Sequence, residues 1–377
     1  MKRLTLAIDS FKGSLSSREV AEAFEQEFRR LIPDCEIRKV EIADGGEGTA
    51  ASLIRTLNGE FVEVEVHDPL HHPIRASYGI IEKGRTAIIE LAAASGLTLL
   101  RTEERNPLFT STYGTGEMIM DAINRGCRKF LLGIGGSATN DAGVGLLRAL
   151  GFRFLDNSGN EIVGGGEYLK KIARIDDTYI CHALRECEFV VACDVTNPLC
   201  GADGAAHIFA PQKGADAAMV ELLDQGLENF ARVVEAFNGA QIATLKGAGA
   251  AGGVGGGVAA LLGARLERGI DMVLDTIDFD SIIRDCDLVI TGEGRLDKQT
   301  VMGKAPSGVL AAATKRNIPT IAIGGGVVWC DELRESGFAA IEIITPEGMT
   351  IDDAMQPEVA KENVRRAAER IAERFTR

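Results

Sequence analysis

Apolar residues fall in short runs separated by segments of helical period. Leu4–Ile8 is one such run and reads as a buried strand. Ser16 and Glu19, three apart, form a capping box, and Val20, Ala23, Phe24, Phe28 and Leu31 follow at helical spacing. Ile37–Ala43 predicts a second strand, and Gly45 and Gly46 lead into a helix ending near Leu57. This is the βαβα opening of a parallel sheet.

The pattern changes at Phe61. Val62, Val64 and Val66 alternate with Glu63 and Glu65, the mark of a half-buried strand. Ile74–Ile81 and Thr86–Leu91 flank a hairpin turn, so antiparallel pairing is expected here. Helices are predicted at Thr115–Arg125 and Gly143–Leu150, each stopped by a glycine, and strands at Phe130–Ile134 and Phe189–Cys193. Alternation of strand and helix returns with Leu288–Thr291, a helix with Pro306 in its first turn, and strands Ile318–Ile323 and Ala339–Ile344. A last amphipathic helix starts near Pro357. The expected fold class is α/β with two α/β domains. Residues 1–60 and 280–377 make one doubly wound sheet from both chain ends, and residues 61–279 an inserted domain.

A length of 377 residues agrees with two domains. The 44 glycines stand well above the ~7 % usual share, and without a Gly-X-Y period they belong in tight loops or close backbone contacts. The net charge of −14, with no long basic block, argues against a nucleic-acid binder and against an anionic membrane surface. An anionic ligand therefore needs a local site. The eight cysteines include no Cys-x-x-Cys pair, and Cys181, Cys187, Cys193 and Cys200 are too widely spaced for a zinc knuckle. The N-terminal apolar run is too short for a signal peptide, and Gly249–Leu262 too short to span a bilayer. A soluble cytoplasmic protein is expected.

Acidic residues recur where apolar strands end: Asp9, Asp44, Asp194 and Glu293. Open α/β sheets bind ligands at the carboxyl ends of their strands, although any one such residue also serves as a cap or turn former. Glycine-rich segments stand at Asp44–Thr49, Tyr113–Glu117, Gly133–Gly143, Gly247–Gly257 and Thr291–Asp297. Most are expected between a strand and a helix, where backbone N–H groups cradle phosphate; the alternative is a tight turn or close packing. Gly303-Lys304 lacks the rest of a Walker A loop. Gly247, Gly249 and Gly252 match the dinucleotide pattern, but a poor strand precedes them. Lys12, Lys213, Arg295 and Lys304 accompany these segments. No H-E-x-x-H zinc-hydrolase motif or G-x-S-x-G elbow is present. Carboxylates, cations and glycine loops together are the parts of a phosphoryl-transfer site.

As a set, these segments resemble the bacterial type I glycerate kinase family from end to end. The resemblance is carried by DSFKGSLS (Asp9–Ser16), ADGGEGT (Ala43–Thr49), ELAAASGL (Glu90–Leu97), RNPL (Arg105–Leu108), GTGE (Gly114–Glu117), GIGGSATNDAG (Gly133–Gly143), ACDVTNPLCG (Ala192–Gly201), FAPQKGA (Phe209–Ala215), GAGAAGGVG (Gly247–Gly255), DLVITGEGRLD (Asp287–Asp297) and GKAP (Gly303–Pro306). GGGVVW at Gly324–Trp329 departs from the family. The resemblance implies ATP- and Mg²⁺-dependent phosphorylation of D-glycerate, with the 2-hydroxyl favoured over the 3-hydroxyl. It implies a Rossmann-like domain from both chain ends, a second α/β domain, and a ligand cleft between them. Carried onto this chain, it makes Lys12, Asp44 and Asp194 the catalytic candidates, with Asp194 and Asp297 as candidate metal ligands. Ser10, Gly45, Gly46, Ser137, Thr139, Asn140, Asn197, Lys213, Glu293, Arg295 and Lys304 are the candidate substrate- or phosphate-binding residues. The oligomeric state stays open, a homodimer among the options. Two other classes remain: an NAD-dependent 2-hydroxyacid dehydrogenase resting on Gly247–Gly252, and a non-catalytic sensor of small organic acids.

Overall fold

The structure, a computed structural model, describes residues 1–42 and 48–375. In chain order its strands are β1 (Arg3–Ile8), β2 (Glu36–Glu41), β3 (Glu60–His67), β4 (Pro73–Ile81), β5 (Thr86–Glu90), β6 (Lys129–Gly133), β7 (Arg153–Leu155), β8 (Arg174–Asp176), β9 (Glu188–Ala192), β10 (Arg265–Glu267), β11 (Leu288–Leu296), β12 (Thr320–Val327) and β13 (Ala340–Ile343). They fall into two units. The terminal unit is Met1–Asp44 with Val273–Arg377, and the central unit is Gly45–Met272.

In the terminal unit β1 is buried on both faces. Leu4, Leu6 and Ile8 join the core under helices Ser17–Leu31 and Pro357–Glu373, and Thr5 and Ala7 are equally buried on the opposite face. A strand covered on both sides needs a continuous apolar run rather than alternation, which is what Leu4–Ile8 supplies. The Ser16–Glu19 capping box forms as the sequence predicts, and Val20, Ala23, Phe24 and Phe28 turn inward. The last helix packs against that helix through its small side, Ala360, Val364, Ala367, Ala368 and Ile371. All five strands are parallel, in the order β13-β12-β11-β1-β2. Counted within this unit the order is 2-1-3-4-5, a doubly wound sheet whose direction of winding reverses between β1 and β11. Such a switch point leaves a crevice at the strands' carboxyl ends.

The sequence places a glycine loop at Thr291–Asp297. Instead β11 continues to Leu296, pairing Glu293 with Gly324 and Arg295 with Gly326. The reason is steric. A Cβ at Gly292 would overlap the Ile323 carbonyl, and one at Gly325 would lie 2.6 Å from the Gly294 carbonyl oxygen. These glycines let two strands meet, so they do not form a loop.

The central unit holds a six-stranded sheet in the order β10-β9-β6-β5-β4-β3. β3, β4 and β5 are antiparallel and β5, β6, β9 and β10 parallel; β7 and β8 form a separate two-stranded ribbon. Val62 and Val66 of β3 face the core as its alternation predicts. Helix Thr49–Thr56 presses Ile54 against Gly79 of β4. Tyr113–Glu117, read as a loop, opens helix Tyr113–Asn124. Gly114 there abuts the His67 carbonyl and Gly116 the Leu146 carbonyl, so both serve close packing. Among the described residues no helix is long and apolar enough to cross a membrane, and the eight cysteines are free.

Candidate active site

At the switch point of the terminal unit, the Asp9 amide donates to the Gly292 carbonyl at 2.9 Å. The Asp9 carboxylate turns back to accept from Ser10 N at 2.6 Å. Ser10 is half-buried, and Lys12 is exposed in the same turn. Glu293 projects from within β11 and is buried. Its Oε1 accepts from Thr300 Oγ1 at 2.7 Å, and its Oε2 faces Lys304 Nζ at 3.4 Å. Burial raises its pKa, opposed by these two partners. Lys304 is the N-cap residue of helix Ala305–Thr314, with Pro306 in the first turn as expected. Asp297 caps helix Lys298–Val301, accepting from Gln299 N while its own amide donates to Thr300 Oγ1. Arg295, mostly exposed, lies 3.8 Å from Asp297. Thr300 therefore ties Asp297 to Glu293, a link the sequence reading missed although the three-residue spacing of a capping box was visible.

In the central unit the loop after β6 carries Ser137, Thr139, Asn140 and Asp141, all buried. Ser137 and Thr139 share a hydroxyl–hydroxyl bond of 2.9 Å. Lys213, a candidate substrate- or phosphate-binding residue from the sequence, is buried beneath them. Its Nζ donates to the Thr139 carbonyl at 2.7 Å and to Ser137 Oγ at 3.4 Å. Burial pushes the ammonium down to about 7, partly opposed by the charge of Asp141. Asp141 accepts from Thr112 N, Thr112 Oγ1, Gly143 N and Gly145 N, and burial nonetheless raises its pKa. The four bonds fix the loop to the segment before helix Tyr113–Asn124 and to helix Val144–Ala149. Neither amide atom of Asn140 has a partner, nor has Nε of Arg105. An unsatisfied buried polar group costs ~1–3 kcal/mol, so folding alone does not explain Asn140.

The glycines at Gly247–Gly257 pack against this loop. Helix Ala250–Leu262 opens with a kink in which Ala251, Gly252 and Gly253 take φ of 54°, 68° and 93°. A Cβ at Gly252 would overlap the Thr139 carbonyl and sit 2.6 Å from Asn140 Cα. One at Gly249 would overlap the Pro198 carbonyl, and one at Gly247 would meet Cys193 Sγ at 2.8 Å. Residues 241–246, ahead of them, form no strand. The strand–turn–helix context that a dinucleotide fingerprint requires is missing, and these three glycines meet protein atoms.

Asp194 follows β9 and is exposed; its Oδ1 accepts from Gly269 N, the first residue of helix Gly269–Thr276. Asn197 Nδ2 donates to the Asp203 carbonyl, closing the next turn, and its own carbonyl accepts from Gly249 N. Asp44, Gly45 and Gly46 lie outside the described residues. Just beyond them, Gly48 N and Ala50 N donate to Glu90 Oε1 at 3.1 and 3.0 Å, so the acid ending β5 holds the N-terminus of helix Thr49–Thr56. Ser137, Thr139, Asn140 and Lys213 thus form one cluster. Glu293, Lys304, Asp297 and Arg295 form another.

Among the described residues no group of three His, Cys, Asp or Glu side chains is placed to hold a metal. The carboxylates stand singly or in pairs at strand ends. Mg²⁺ is commonly held by one or two carboxylates plus substrate phosphates rather than by a protein cage. The donor set therefore fits a magnesium ion that arrives with a nucleotide.

The chain is similar to known proteins over almost its whole length. A family model described as the glycerate kinase family matches residues 4–376. Glycerate kinase of Bacillus subtilis (strain 168) is 48% identical over 371 residues, covering 98% of this chain and 97% of the relative. Glycerate 2-kinase of Escherichia coli (strain K12) is 43% identical over 373 residues, covering 98% and 97%. The crystal structure of a candidate glycerate kinase 2 from Salmonella typhimurium LT2 superposes with a TM-score of 0.89 at 43% identity, covering 99% of this chain and 98% of that one. With both side-chain clusters lying inside the matched span, the chain belongs to the glycerate kinase family.

Proposed function

We propose that this protein transfers the γ-phosphoryl group of ATP to D-glycerate, giving 2-phosphoglycerate. The observation that carries the reading is the family match running unbroken through both clusters. The name of the Escherichia coli relative favours the 2-hydroxyl.

Phosphoryl transfer is mostly positioning and charge neutralisation. Mg²⁺ would offset charge on the phosphates when bound; Asp297 is one candidate protein ligand for it, and Asp194 another where Asp44 serves as the base. Lys12 and Lys304 supply positive charge toward the phosphates, and Ser10 with the amides of Gly45 and Gly46 supplies donors. Glu293 orients Lys304, and Arg295 lies beside Asp297. Ser137, Thr139, Asn140, Asn197 and Lys213 receive the acceptor. Asp194 takes the proton from the attacking hydroxyl, with Asp44 as the other carboxylate suited to that role. On this reading the enzyme works in the cytoplasm, in glyoxylate and glycerate metabolism, with a homodimer among its open assembly states.

ADP release from ATP and Mg²⁺ should depend on added D-glycerate, and NMR of the product should show phosphate on the 2-oxygen. Excess EDTA should abolish turnover, and Mg²⁺ or Mn²⁺ should restore it. No glycerate-dependent ADP release would refute the kinase. Thermal stabilisation by glycerate in that case would make the chain a sensor, and full turnover in EDTA would refute the magnesium step.

A further inference from the structure

We propose that Arg105, Asn140 and Lys213 form the seat of the acceptor's carboxylate and adjacent hydroxyl, so that the central unit selects a small 2-hydroxycarboxylate over an uncharged polyol. The inference rests on the kinase reading and names the part of the substrate this cluster reads.

Asn140 is wholly buried, yet its amide oxygen and nitrogen are both without a partner. It has little room to shift. Its Cα abuts Gly252, and its carbonyl oxygen lies 2.6 Å from where a Cβ at Gly166 would stand. A fixed donor and acceptor on one amide complement a carboxylate oxygen beside a hydroxyl. The Lys213 ammonium has only neutral hydrogen-bond partners, the Thr139 carbonyl and Ser137 Oγ. Among the described residues no carboxylate oxygen pairs with it, and Asp141 already accepts from four donors of its own.

Arg105 adds a second cation. Gly214, the residue after Lys213, has φ +96°. A Cβ there would overlap the Arg105 carbonyl and approach Arg105 Cβ to 3.2 Å. The Arg105 backbone is thus held against the Lys213 turn, and Nε of its half-buried side chain is enclosed without a partner. Two cations and an open amide, carried on three segments of the central unit, oppose the chain's net charge of −14 locally, as binding of a small anion requires.

The test compares wild type with Asn140→Leu, Lys213→Met and Arg105→Met. Each is assayed for KM of D-glycerate and of ATP, for calorimetric binding of D-glycerate and glycerol without ATP, and for its urea midpoint. Wild type should bind D-glycerate and not glycerol. Asn140→Leu should keep or raise the urea midpoint while KM for D-glycerate rises at least tenfold and KM for ATP stays within twofold. Arg105→Met, at a half-exposed site, should show the same split, which carries the test should a buried variant fail to fold. A KM for D-glycerate within threefold of wild type in Arg105→Met and in every other folded variant overturns the proposal and leaves the kinase intact. Calorimetric binding of D-glycerate that these variants lose, in a protein without turnover, supports the seat and refutes the kinase. Equal affinity of wild type for glycerol and D-glycerate overturns the seat.

Discussion

Replacing Gly252 by alanine should damage stability and substrate affinity together. The residue sits at φ 68° within the kink that opens helix Ala250–Leu262. A side chain in the left-handed region costs ~1–2 kcal/mol. The new Cβ would also overlap the Thr139 carbonyl and lie 2.6 Å from Asn140 Cα. Both are backbone atoms, so no rotamer change relieves the contact, and overpacking of this kind costs ~1–3 kcal/mol. The sum is ~2–5 kcal/mol. Gly239→Ala provides the control. Gly239 caps helix Ala217–Asn238 at φ 80°, with nothing within 4 Å of a new Cβ, so it bears only the backbone cost, ~1–2 kcal/mol. Urea unfolding followed by far-UV circular dichroism measures both. The displaced Thr139 carbonyl is the acceptor that holds Lys213 Nζ at 2.7 Å, so KM for D-glycerate should rise in Gly252→Ala and not in Gly239→Ala. If the two variants agree within about 0.5 kcal/mol and share a wild-type KM, the glycine is not holding the loop and the reasoning fails.

Asp194→Asn should lower kcat by ~10²–10⁴ while melting normally, because asparagine keeps an oxygen for Gly269 N but cannot accept the hydroxyl proton; retention of more than about a third of wild-type kcat would make Asp194 structural and leave Asp44 as the base. Stability should also depend on pH through Lys213. Its ammonium titrates near 7 in the folded protein, facing Asp141, and near 10.5 when unfolded. Between those values the unfolded chain binds more protons, so this contribution is complete above pH 10.5 and is lost as pH falls to 7. From pH 7 to 9 wild type should gain up to ~1.4 kcal/mol per pH unit relative to Lys213→Met. Parallel pH profiles in urea unfolding would show that the buried lysine does not titrate there.

Features set by neighbouring residues were legible in the sequence. The Ser16–Glu19 capping box, the Val62–Val66 alternation and the Leu4–Ile8 run each express a local period or a local hydrogen bond. Glycine was legible as a need for space, but whether a loop or a packed backbone meets that need depends on a distant partner. Gly294 meets Gly325 and Gly114 meets the His67 carbonyl, and no local pattern announces either pairing. The burial of Lys213 is likewise nonlocal. PQKGA looks solvated until the loop after β6 covers it. Arg105 stands in a matched motif, but its enclosure depends on the Gly214 turn.

The parallel pairing of β1 with β11 also governs the order in which the newborn chain can fold. β1 pairs with β2 within the first 41 residues, but its other edge waits for Leu288, the partner of Leu4. About 245 residues separate the end of β2 from the start of β11. At ~5–20 residues per second, synthesis of that stretch takes on the order of 12–50 s. For that time Leu4, Leu6 and Ile8 belong to a two-strand fragment with an open edge and without the last helix that covers them, the kind of fragment that invites edge-to-edge association. The central unit, whose strands β3 to β10 are contiguous in the chain, meets no such delay. Aggregation during expression should therefore be governed by the first strand rather than by the larger unit, and holdase chaperones that shield Leu4–Ile8 until translation ends should reduce it.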